Sequence, residues 1–371
     1  MSGSPWQLCI AGMENTASAQ IDLNALRDNF SVVRRLCPSS RIMAMVKADA
    51  YGHGLLPVAR TLNVADGLAV ARLQEALQLR NAGITQRILL LGTLLDKQDL
   101  AACSRHNIDV TAHDQVSVSS IVEQARLTPL RVWLELDSGM HRLGLNANAF
   151  IEADRILSAH SGILDLIHMT HFSSADAEAP EVMETQLSLF WACHNASSNA
   201  LVSLANSAAL IANCSTRADW VRPGVMLYGD NPVAAQHNLP LRSAMTVRAR
   251  VIAVRDLEAG ESVGYNSGWM TARTSRIGTV GIGYGDGYPR QAGNGTPVWI
   301  KGTLVPLVGQ VSMDSLTIDL TDHAGISVGD EAVLWGQELS AATVAKCANT
   351  ISYHLFASLT QRVRREYSSS I

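Results

Sequence analysis

Long apolar runs and blocks of like charge are both missing from this sequence. No apolar stretch reaches the length of roughly 20 residues that a membrane-spanning helix needs. Charged residues make up 17% of the 371 residues, and the net charge is only −4. Without a basic block, the usual electrostatic reason for binding nucleic acid or a membrane surface is absent. We therefore expect neither partner, and the 47% apolar content predicts a sizeable core.

Cysteine is scarce and scattered. The 6 cysteines, at positions 9, 37, 103, 193, 214 and 347, include no C-x-x-C pair. This pattern favours reduced thiols over a disulfide framework or a metal site. The first 20 residues also lack the basic start and apolar stretch of a secretory signal. Together these features predict a cytoplasmic protein without a bound metal.

Short apolar segments alternate with amphipathic ones from about residue 21 to residue 230. Eight segments have the length and apolar content of buried strands: residues 42–46, 67–71, 87–91, 107–111, 131–136, 163–170, 201–205 and 220–227. Between them, apolar residues at helical spacing occur over 23–36, 73–82, 115–125 and 183–195. Eight β/α units predict a TIM barrel. An open doubly wound sheet is the alternative, but it would carry fewer strands and a glycine-rich dinucleotide motif.

The alternation stops near residues 230–244, which include Pro232 and Pro240. Six segments after this point have the character of strands joined by short loops. They are residues 245–254, 276–283, 297–300, 304–308, 316–320 and 331–335, with a helix near 341–359. The sequence thus predicts a barrel over 21–238 and a mostly antiparallel β domain over 239–371. Residues 1–20 would form an N-terminal tail able to pack on the β domain.

One lysine ends a buried strand. The apolar residues 42–46 lead into Lys47, and small residues, Tyr51, Gly52 and Gly54 follow it. An ammonium at the rim of a core is partly desolvated, which lowers the pKa of the amine and makes it a better nucleophile toward an aldehyde. The glycines let the backbone turn tightly beneath a ligand. The alternative is a lysine whose ammonium simply reaches water from a strand end.

Further polar residues follow the later predicted strands, at the rim where TIM-barrel active sites lie. They are Arg142 after the fifth strand, His171 after the sixth, Asn206 and Ser207 after the seventh, and Arg222, Gly224 and Val225 at the eighth. Residues with purely structural roles should not collect at one rim, so we expect an active site there. Each residue also has an ordinary explanation: an ion pair for either arginine, a core position for His171, or a helix N-cap for Ser207.

The segments around these residues resemble motifs of the alanine racemase family. Three of them are Val46-Lys-Ala-Asp-Ala-Tyr-Gly-His-Gly54, Leu136-Asp-Ser-Gly-Met-His-Arg-Leu-Gly144 and Val221-Arg-Pro-Gly-Val-Met-Leu-Tyr-Gly229. The resemblance covers nearly the whole chain after residue 20. It implies a fold type III pyridoxal-phosphate enzyme, with a TIM barrel and a C-terminal β domain. It also implies that Lys47 holds pyridoxal 5'-phosphate as a Schiff base and acts as a catalytic base.

The resemblance assigns a phosphate site to the barrel. Tyr51, Asn206, Ser207 and the main chain of Gly224 and Val225 would form it. The loops after strands seven and eight form the usual phosphate site of such barrels, where backbone N–H groups meet an anion.

The resemblance also assigns the groups around the cofactor ring. Arg142 would donate to the phenolic oxygen of the cofactor and contact the substrate, and His171 would orient a catalytic tyrosine. Arg222 would face the pyridine nitrogen, where most such enzymes have a carboxylate. Because an arginine cannot accept a proton, the ring would stay a weak electron sink. A short-lived carbanion suits racemisation.

A second catalytic base is implied in the β domain. Gly260-Glu-Ser-Val-Gly-Tyr265 resembles the family segment that carries it. Racemisation needs one acid/base on each face of a planar carbanion, and Lys47 and Tyr265 would serve the two faces. In this family the tyrosine comes from a partner subunit, so the resemblance implies a head-to-tail homodimer. A tyrosine needs cationic neighbours to act near neutral pH, and we expect His171 backed by Arg222 to provide them.

The substrate entrance is implied by two further segments. Gly283-Tyr-Gly-Asp-Gly-Tyr-Pro-Arg290 matches the family motif in which Tyr284 and Arg290 line the entrance. In Val308-Gly-Gln-Val-Ser-Met313 the main chain of Met313 would meet the substrate carboxylate. Asp176 and Gln310 would also lie at the entrance. The alternative for Tyr265 is ordinary packing in a sheet. The alternative for residues 283–290 is a glycine-rich turn between two strands.

Several positions depart from the family. Glu135 stands where many members have a carbamylated lysine, and our hypothesis is that its carboxylate pairs with Arg142 without carbon dioxide. The other departures are Gln310 for an entrance arginine, Gln361 for a phosphate-binding tyrosine, His354 for a glutamate and Arg364 for a proline. They leave the catalytic pair intact, but the family pattern does not extend to the size of the substrate, the charge of the entrance or the affinity for the cofactor.

These observations predict an enzyme that interconverts L- and D-alanine. A racemase that prefers serine or a larger amino acid is a close alternative, because the entrance differs. A non-catalytic pyridoxal-phosphate-binding barrel would lack the β domain and its tyrosine. A decarboxylase of the same two-domain architecture is opposed by the Lys47, Arg142 and Tyr265 segments.

Overall fold

A computed structural model describes residues 17–175, 181–233 and 237–368. The chain divides into two compact units. The barrel unit is Ala25–Arg242, and the β unit combines the described residues up to Asn24 with those from Ser243 onward. Strand β1, Ala17–Asp22, belongs to the β unit, where it pairs with later strands. The expected entrance residue Asp176 lies outside the described residues, as do residues 1–16 of the expected tail.

The barrel unit is a closed ring of 8 parallel strands, which confirms the predicted fold class. The strands are β2 (Arg41–Met45), β3 (Gly67–Val70), β4 (Arg87–Leu90), β5 (Ile108–Ala112), β6 (Leu130–Leu136), β7 (Ile163–Thr170), β8 (Leu201–Ser203) and β9 (Trp220–Val221). Ring closure comes from β9 pairing with β2. Most of these residues are buried because helices cover the outside of a parallel barrel.

Helices alternate with the barrel strands. They span Leu23–Leu36, Leu55–Thr61, Leu73–Asn81, Lys97–Arg105, Gln115–Ala125, Ala147–Ser158, Glu181–Asn195 and Ser207–Ala212. Asp or Asn side chains begin several of them by accepting a backbone N–H, as Asp114 does from Ser117 at 2.7 Å and Asn146 from Ala149 at 3.0 Å. Such caps satisfy donors that have no partner within the helix. No helix in the described part of the chain has the length and apolar character to cross a bilayer.

The eighth strand is shorter than the sequence predicts. Only Trp220–Val221 is extended, and Val225–Tyr228 forms a 3-10 helix instead of continuing the strand. Pro223 lacks an N–H to donate to a sheet, so the apolar run to Leu227 cannot pair throughout its length. This early end frees the backbone of Gly224 and Val225 to turn at the rim.

A buried charge cluster lies at the opposite rim, near the starts of the strands. Asp109 is fully buried and accepts hydrogen bonds from Arg87 Nε and from Trp133 Nε1, the latter at 2.8 Å. Arg87 also donates to Asp165 at 2.7 Å. Its guanidinium lies 5.4 Å from the ring centre of Trp220. Removing one member of a buried pair leaves the other charge uncompensated.

We expect Asp109→Ala to lower the free energy of unfolding by about 3 kcal/mol, because Arg87 and Trp133 would lose their buried acceptor. Urea unfolding followed by far-ultraviolet circular dichroism measures this. Asp165→Ala is the matched control: its carboxylate is 29% exposed, and its loss should cost less than about 1 kcal/mol. Equal losses in the two variants would contradict the account.

The β unit is built around the long strand β10, Met245–Leu257. The other strands are β11 (Ser262–Val263), β12 (Trp269–Met270), β13 (Ser275–Val280), β14 (Pro297–Ile300), β15 (Thr303–Pro306), β16 (Leu316–Asp319), β17 (Glu331–Trp335) and β18 (Arg364–Ser368). Strand β10 pairs antiparallel with β1, β13 and β17, while β1 and β18 are parallel. Strands β11 and β12 form a separate hairpin.

The predicted helix over 341–359 is wrong as a single element. Two helices, Ala341–Cys347 and Ser352–Ser358, occupy this region. Asn349 between them has a φ of 50°, which interrupts right-handed helix geometry. The strands β1, β11, β12 and β18 also have no counterpart in the sequence prediction, since each is too short or too polar to show a clear alternation.

Candidate active site

The lysine segment forms a left-handed turn at the end of β2. Ala48, Asp49, Ala50 and Tyr51 all have φ values between 52° and 54°. Such a conformation costs roughly 1–2 kcal/mol for each non-glycine residue. The Asp49 carboxylate compensates by accepting the Leu55 N–H at 2.7 Å, and the Gly52 N–H donates to Ala48 at 2.9 Å. Strain of this kind is characteristic of functional sites.

This turn leaves Lys47 half-buried at the barrel rim. Burial lowers the pKa of Lys47, and so do the charges of Arg142 and Arg222, while Glu75 opposes them. A lowered pKa increases the fraction of neutral amine at neutral pH. Lys47 is therefore suited to act as a nucleophile or as a base.

Tyr51 and Gly224 lie directly against each other. A Cβ added to Gly224 would stand 2.6 Å from the Tyr51 hydroxyl, so only glycine fits here without displacing the tyrosine. The Tyr51 ring stacks on Tyr228 at 4.9 Å, and the Tyr228 hydroxyl donates to the Met45 carbonyl at 2.8 Å. Burial raises the pKa of Tyr51 to about 12, which keeps its hydroxyl a hydrogen-bond donor. Tyr228 is part of the third family motif, and only the folded structure shows its contact with Tyr51.

Ser207 joins the same group of residues. Its buried hydroxyl accepts the Gly224 N–H at 2.8 Å and the Met226 N–H at 3.4 Å. The N-cap of the following helix is Asn206, whose side chain accepts the Ala209 N–H at 3.0 Å. The ordinary explanation of Ser207 as the cap is therefore wrong. Val225 begins the 3-10 helix, where backbone N–H groups have no partner within the helix.

Arg222 is buried and held by main-chain acceptors. Its Nη1 donates to the Ser203 carbonyl at 2.9 Å and to the Ser203 hydroxyl at 2.7 Å, and its Nη2 donates to the Thr170 carbonyl at 2.6 Å. Burial lowers the pKa of Arg222 to about 10, which Glu135 partly opposes. The side chain is therefore still a cation at neutral pH. Ser203 lacks a motif signal in the sequence, and only the parallel pairing of β8 with its neighbours reveals its role.

His171 follows β7 and lies within the electrostatic reach of the same cations. Its desolvation, followed by the charges of Arg222, Arg142 and Lys47, lowers the pKa of His171 to about 3. The expectation that His171 supplies a positive charge is therefore wrong at neutral pH. The imidazole is neutral, so it can orient a hydroxyl by hydrogen bonding while Arg222 carries the charge.

Arg142 lies on the loop between β6 and the helix that begins at Ala147. The Asp137 carboxylate shapes this loop by accepting N–H groups of Gly139 and His141 at 3.0 and 2.9 Å. Gly144 has a φ of 110°, and a Cβ there would stand 2.4 Å from the Asp137 nitrogen. The tight loop leaves Arg142 exposed.

Glu135 is buried inside the barrel beneath that loop. Burial raises the pKa of Glu135, and Arg222 opposes this more strongly than His113 or Arg142 does. Among these charges Arg142 has the smallest effect on the pKa of Glu135, and the described residues show no ion pair between the two side chains, so their pairing stays a hypothesis. Glu135 and Arg222 are far apart in the sequence, so no local pattern predicts that their charges act on each other.

The β unit carries the remaining expected residues on adjoining loops. Tyr265 is 64% exposed in a 3-10 turn at the end of the β11–β12 hairpin. A Cβ on Gly264 would stand 3.2 Å from the Gln310 nitrogen, so the hairpin lies against the segment that contains Gln310. The carboxamide oxygen of Gln310 is buried without a hydrogen-bond partner among the described residues.

Two backbone hydrogen bonds connect this segment to the Tyr284 loop. The Tyr284 N–H donates to Ser312 at 3.0 Å, and the Gly285 N–H donates to the Met313 carbonyl at 2.8 Å. The guanidinium of Arg290 lies 5.9 Å from the ring centre of Tyr284. Three short loops thus bring Tyr265, Met313 and Tyr284 to neighbouring positions within the β unit. Gln361 is exposed in the same unit.

Comparison with known proteins identifies both units. The chain matches the alanine racemase N-terminal domain over residues 21–232 and the alanine racemase C-terminal domain over residues 244–367. The alanine racemase of Aeromonas hydrophila is 46% identical over 359 residues, which are 95% of this chain and 99% of that protein. The alanine racemase of Yersinia pestis is 44% identical over 360 residues, which cover 95% of this chain and 98% of that protein.

Solved structures of alanine racemases resemble this chain over nearly its whole length. The biosynthetic alanine racemase of Pseudomonas aeruginosa has a TM-score of 0.93 and 40% sequence identity, and the match covers 96% of this chain and 100% of that one. The alanine racemase of Bartonella henselae, solved with covalently bound pyridoxal phosphate, has a TM-score of 0.88 and 29% identity over 95% of this chain and 99% of that one. The resemblance inferred from the motifs is confirmed. The chain therefore belongs to the alanine racemase family of isomerases.

Proposed function

We propose that this chain interconverts L- and D-alanine with pyridoxal 5'-phosphate, using Lys47 on one face of the substrate and Tyr265 of a partner copy on the other. The observation that carries the proposal is the group at the barrel rim. A lysine of lowered pKa, a neutral His171 and the cations Arg142 and Arg222 act on one another there. The family relationship supplies the substrate and the cofactor. The scattered cysteines favour a reducing compartment, the cytoplasm.

The residues of the barrel rim fit the cofactor. The hydroxyls of Tyr51 and Ser207 and the backbone N–H of Val225 would supply neutral donors, while Gly224, whose own N–H donates to Ser207 at 2.8 Å, leaves room for a phosphate group to approach the main chain closely. Lys47 supplies the amine for the aldehyde carbon. Arg222 would face the ring nitrogen with a hydrogen-bond donor, where a carboxylate would favour a protonated ring. When bound, the cofactor withdraws electrons from the α-carbon of the substrate.

The chain's own residues divide the work of proton transfer. The Lys47 amine removes or returns the α-proton on one face, helped by its lowered pKa. Tyr265 does the same on the other face. The neutral His171 orients the tyrosine hydroxyl, and Arg222 provides the positive charge that stabilises its deprotonated form. Because Tyr265 is largely exposed on its hairpin, it is available to a second copy of the chain in a head-to-tail homodimer.

Heavy-water exchange tests the proposed function. The cofactor-loaded protein would be incubated with L-alanine in heavy water while optical rotation and the α-hydrogen signal are followed. We expect rotation to vanish as deuterium enters the α-position. Release of carbon dioxide would instead indicate a decarboxylase. If the substrate neither loses optical rotation nor releases carbon dioxide, the protein only binds the cofactor. The ratio of kcat/KM for serine to that for alanine decides between these two substrates.

Gly224→Ala should weaken cofactor binding about ten- to a hundredfold. The new methyl group would overlap the Tyr51 hydroxyl, and tyrosine stacking on Tyr228 prevents easy relief. Titration of the apoprotein with pyridoxal phosphate, followed by absorbance, gives the dissociation constant. Gly325→Ala is the control, since an added Cβ there meets no atom within 4 Å. Unchanged affinity in Gly224→Ala would count against the proposed phosphate site.

A further inference from the structure

Tyr265 has little packing of its own to hold it. Its side chain is 64% exposed, and it lies in a three-residue turn, Tyr265–Ser267, that joins two strands of two residues each. The strands of the hairpin pack through Val263 and Trp269 on Ile277 and Val308, but a hairpin of this size is marginal in water by itself. A catalytic group must nevertheless be held to within a fraction of an ångström of its productive position. Something outside the hairpin must therefore fix the turn.

Asn294 bonds both the end of that turn and the neighbouring segment. Its Nδ2 donates to the Gly268 carbonyl at 3.0 Å. Its Oδ1 accepts the Gly309 N–H at 2.7 Å. One side-chain amide thus joins the residue that ends the Tyr265 turn to the residue that precedes Gln310.

The residue Asn294 is exposed, but the backbone on both sides of it is anchored by hydrogen bonds. It lies in a turn that leads into β14, where the Gly295 N–H donates to the Leu307 carbonyl at 2.8 Å and the Thr296 hydroxyl donates to the Gly293 carbonyl at 2.7 Å. Strand β14 pairs with β15 and β17 in the main sheet of the β unit. The Asn294 amide therefore links the small hairpin to the large sheet that contains β14.

The backbones joined by Asn294 touch each other directly. A Cβ on Gly309 would stand 2.9 Å from the Val263 carbonyl oxygen, at the start of the hairpin. Gly264 approaches the Gln310 nitrogen in the same way. Because both contacts are between main chains, a small shift at Gly309 would move the hairpin as a whole.

We propose that Asn294 is a positioning residue for Tyr265, which holds the catalytic turn against the Gln310 segment. This inference rests on the proposed function, because it assumes that Tyr265 acts as the second base. The site requires a group that donates and accepts at once, and among short side chains the carboxamide does both in a fixed geometry. An aspartate at this position keeps the acceptor but loses the donor to Gly268, and an alanine loses both.

The test separates proton exchange from inversion. Lys47 can remove the α-proton, exchange it with heavy water and return a deuteron to the same face. The substrate then gains deuterium while it retains its configuration. Inversion additionally needs Tyr265 on the opposite face. We expect Asn294→Asp and Asn294→Ala to slow racemisation in both directions about ten- to a hundredfold. For the enantiomer whose hydrogen faces Lys47, exchange with retention should stay within about threefold of the parent.

Tyr265→Phe and Asn349→Asp complete the design. Tyr265→Phe should show the same separation of exchange from inversion in a stronger form. Asn349→Asp introduces the same charge on an exposed asparagine of the same unit and should behave like the parent. The thermal unfolding midpoint of each variant, measured with cofactor bound, reports whether the fold is intact.

Two outcomes would overturn the role of Asn294. One is a parallel fall of exchange and racemisation, which would indicate general damage to the site. The other is racemisation within about threefold of the parent in both Asn294 variants. A parent protein that does not racemise alanine, or a fully active Tyr265→Phe, would instead overturn the proposed function and leave the two hydrogen bonds of Asn294 as structural contacts.

Discussion

Lys47→Arg abolishes racemisation, with an expected loss of about 10⁴-fold or more in kcat for both enantiomers. Arginine keeps the positive charge and nearly the length of the lysine, so the loss reports chemistry and not electrostatics. Its pKa above about 12 prevents it from presenting a neutral nitrogen, either to bond an aldehyde carbon or to accept a proton. Lys47 is suited both to bond an aldehyde carbon and to accept a proton, because burial and the charges of Arg142 and Arg222 lower its pKa.

Polarimetry with L-alanine and with D-alanine measures this loss, and the absorbance of the purified protein shows whether the cofactor is still covalently attached. Lys97→Arg is the matched control, because its ammonium is exposed and pairs with Glu123 at 3.2 Å on the surface. That variant should keep the parent's activity. More than a tenth of the parent's activity in Lys47→Arg would exclude this lysine as a base.

We expect Tyr265→Phe to lower racemisation about 10³-fold, because the phenol proposed to exchange a proton on the second face is lost while the ring is kept. The hairpin has no packing that depends on the hydroxyl, since the side chain is largely exposed. The unfolding midpoint should therefore stay unchanged. A matched control is Tyr367→Phe, which removes a hydroxyl from a 42% exposed tyrosine of the same unit and should leave activity intact.

Mixing the two inactive variants tests where Tyr265 acts. If each site combines Lys47 of one copy with Tyr265 of the other, a mixed dimer of Lys47→Arg and Tyr265→Phe subunits contains one site with both defects and one intact site. Random exchange of subunits should then restore about a quarter of the parent's activity. If both residues act within one copy, every site has a defect and mixing restores nothing. The second outcome would overturn the head-to-tail arrangement.

The sequence by itself determined the type of fold and the residues at the barrel rim. Periodic apolar segments are local signals, so strands such as Ile163–Thr170 and helices such as Gln115–Ala125 coincide with their predicted limits. The rim follows from the same logic, because the ends of parallel strands meet on one side of a barrel. The family motifs around Lys47, Arg142 and Arg222 then indicated the chemistry, since each motif is a continuous stretch of chain.

Only the tertiary structure decided how those residues are held and charged. His171 is neutral because desolvation and three neighbouring cations act on it together, and those cations come from distant parts of the chain. The partners of Arg222 are carbonyls of β7 and β8, which are brought together by strand pairing. Strand β1 pairs with strands more than two hundred residues away, and Asn294 joins two loops that lie 26 and 15 residues from it in the sequence. Local sequence patterns do not predict such contacts, because the energy of each contact depends on which segments lie side by side in the folded chain.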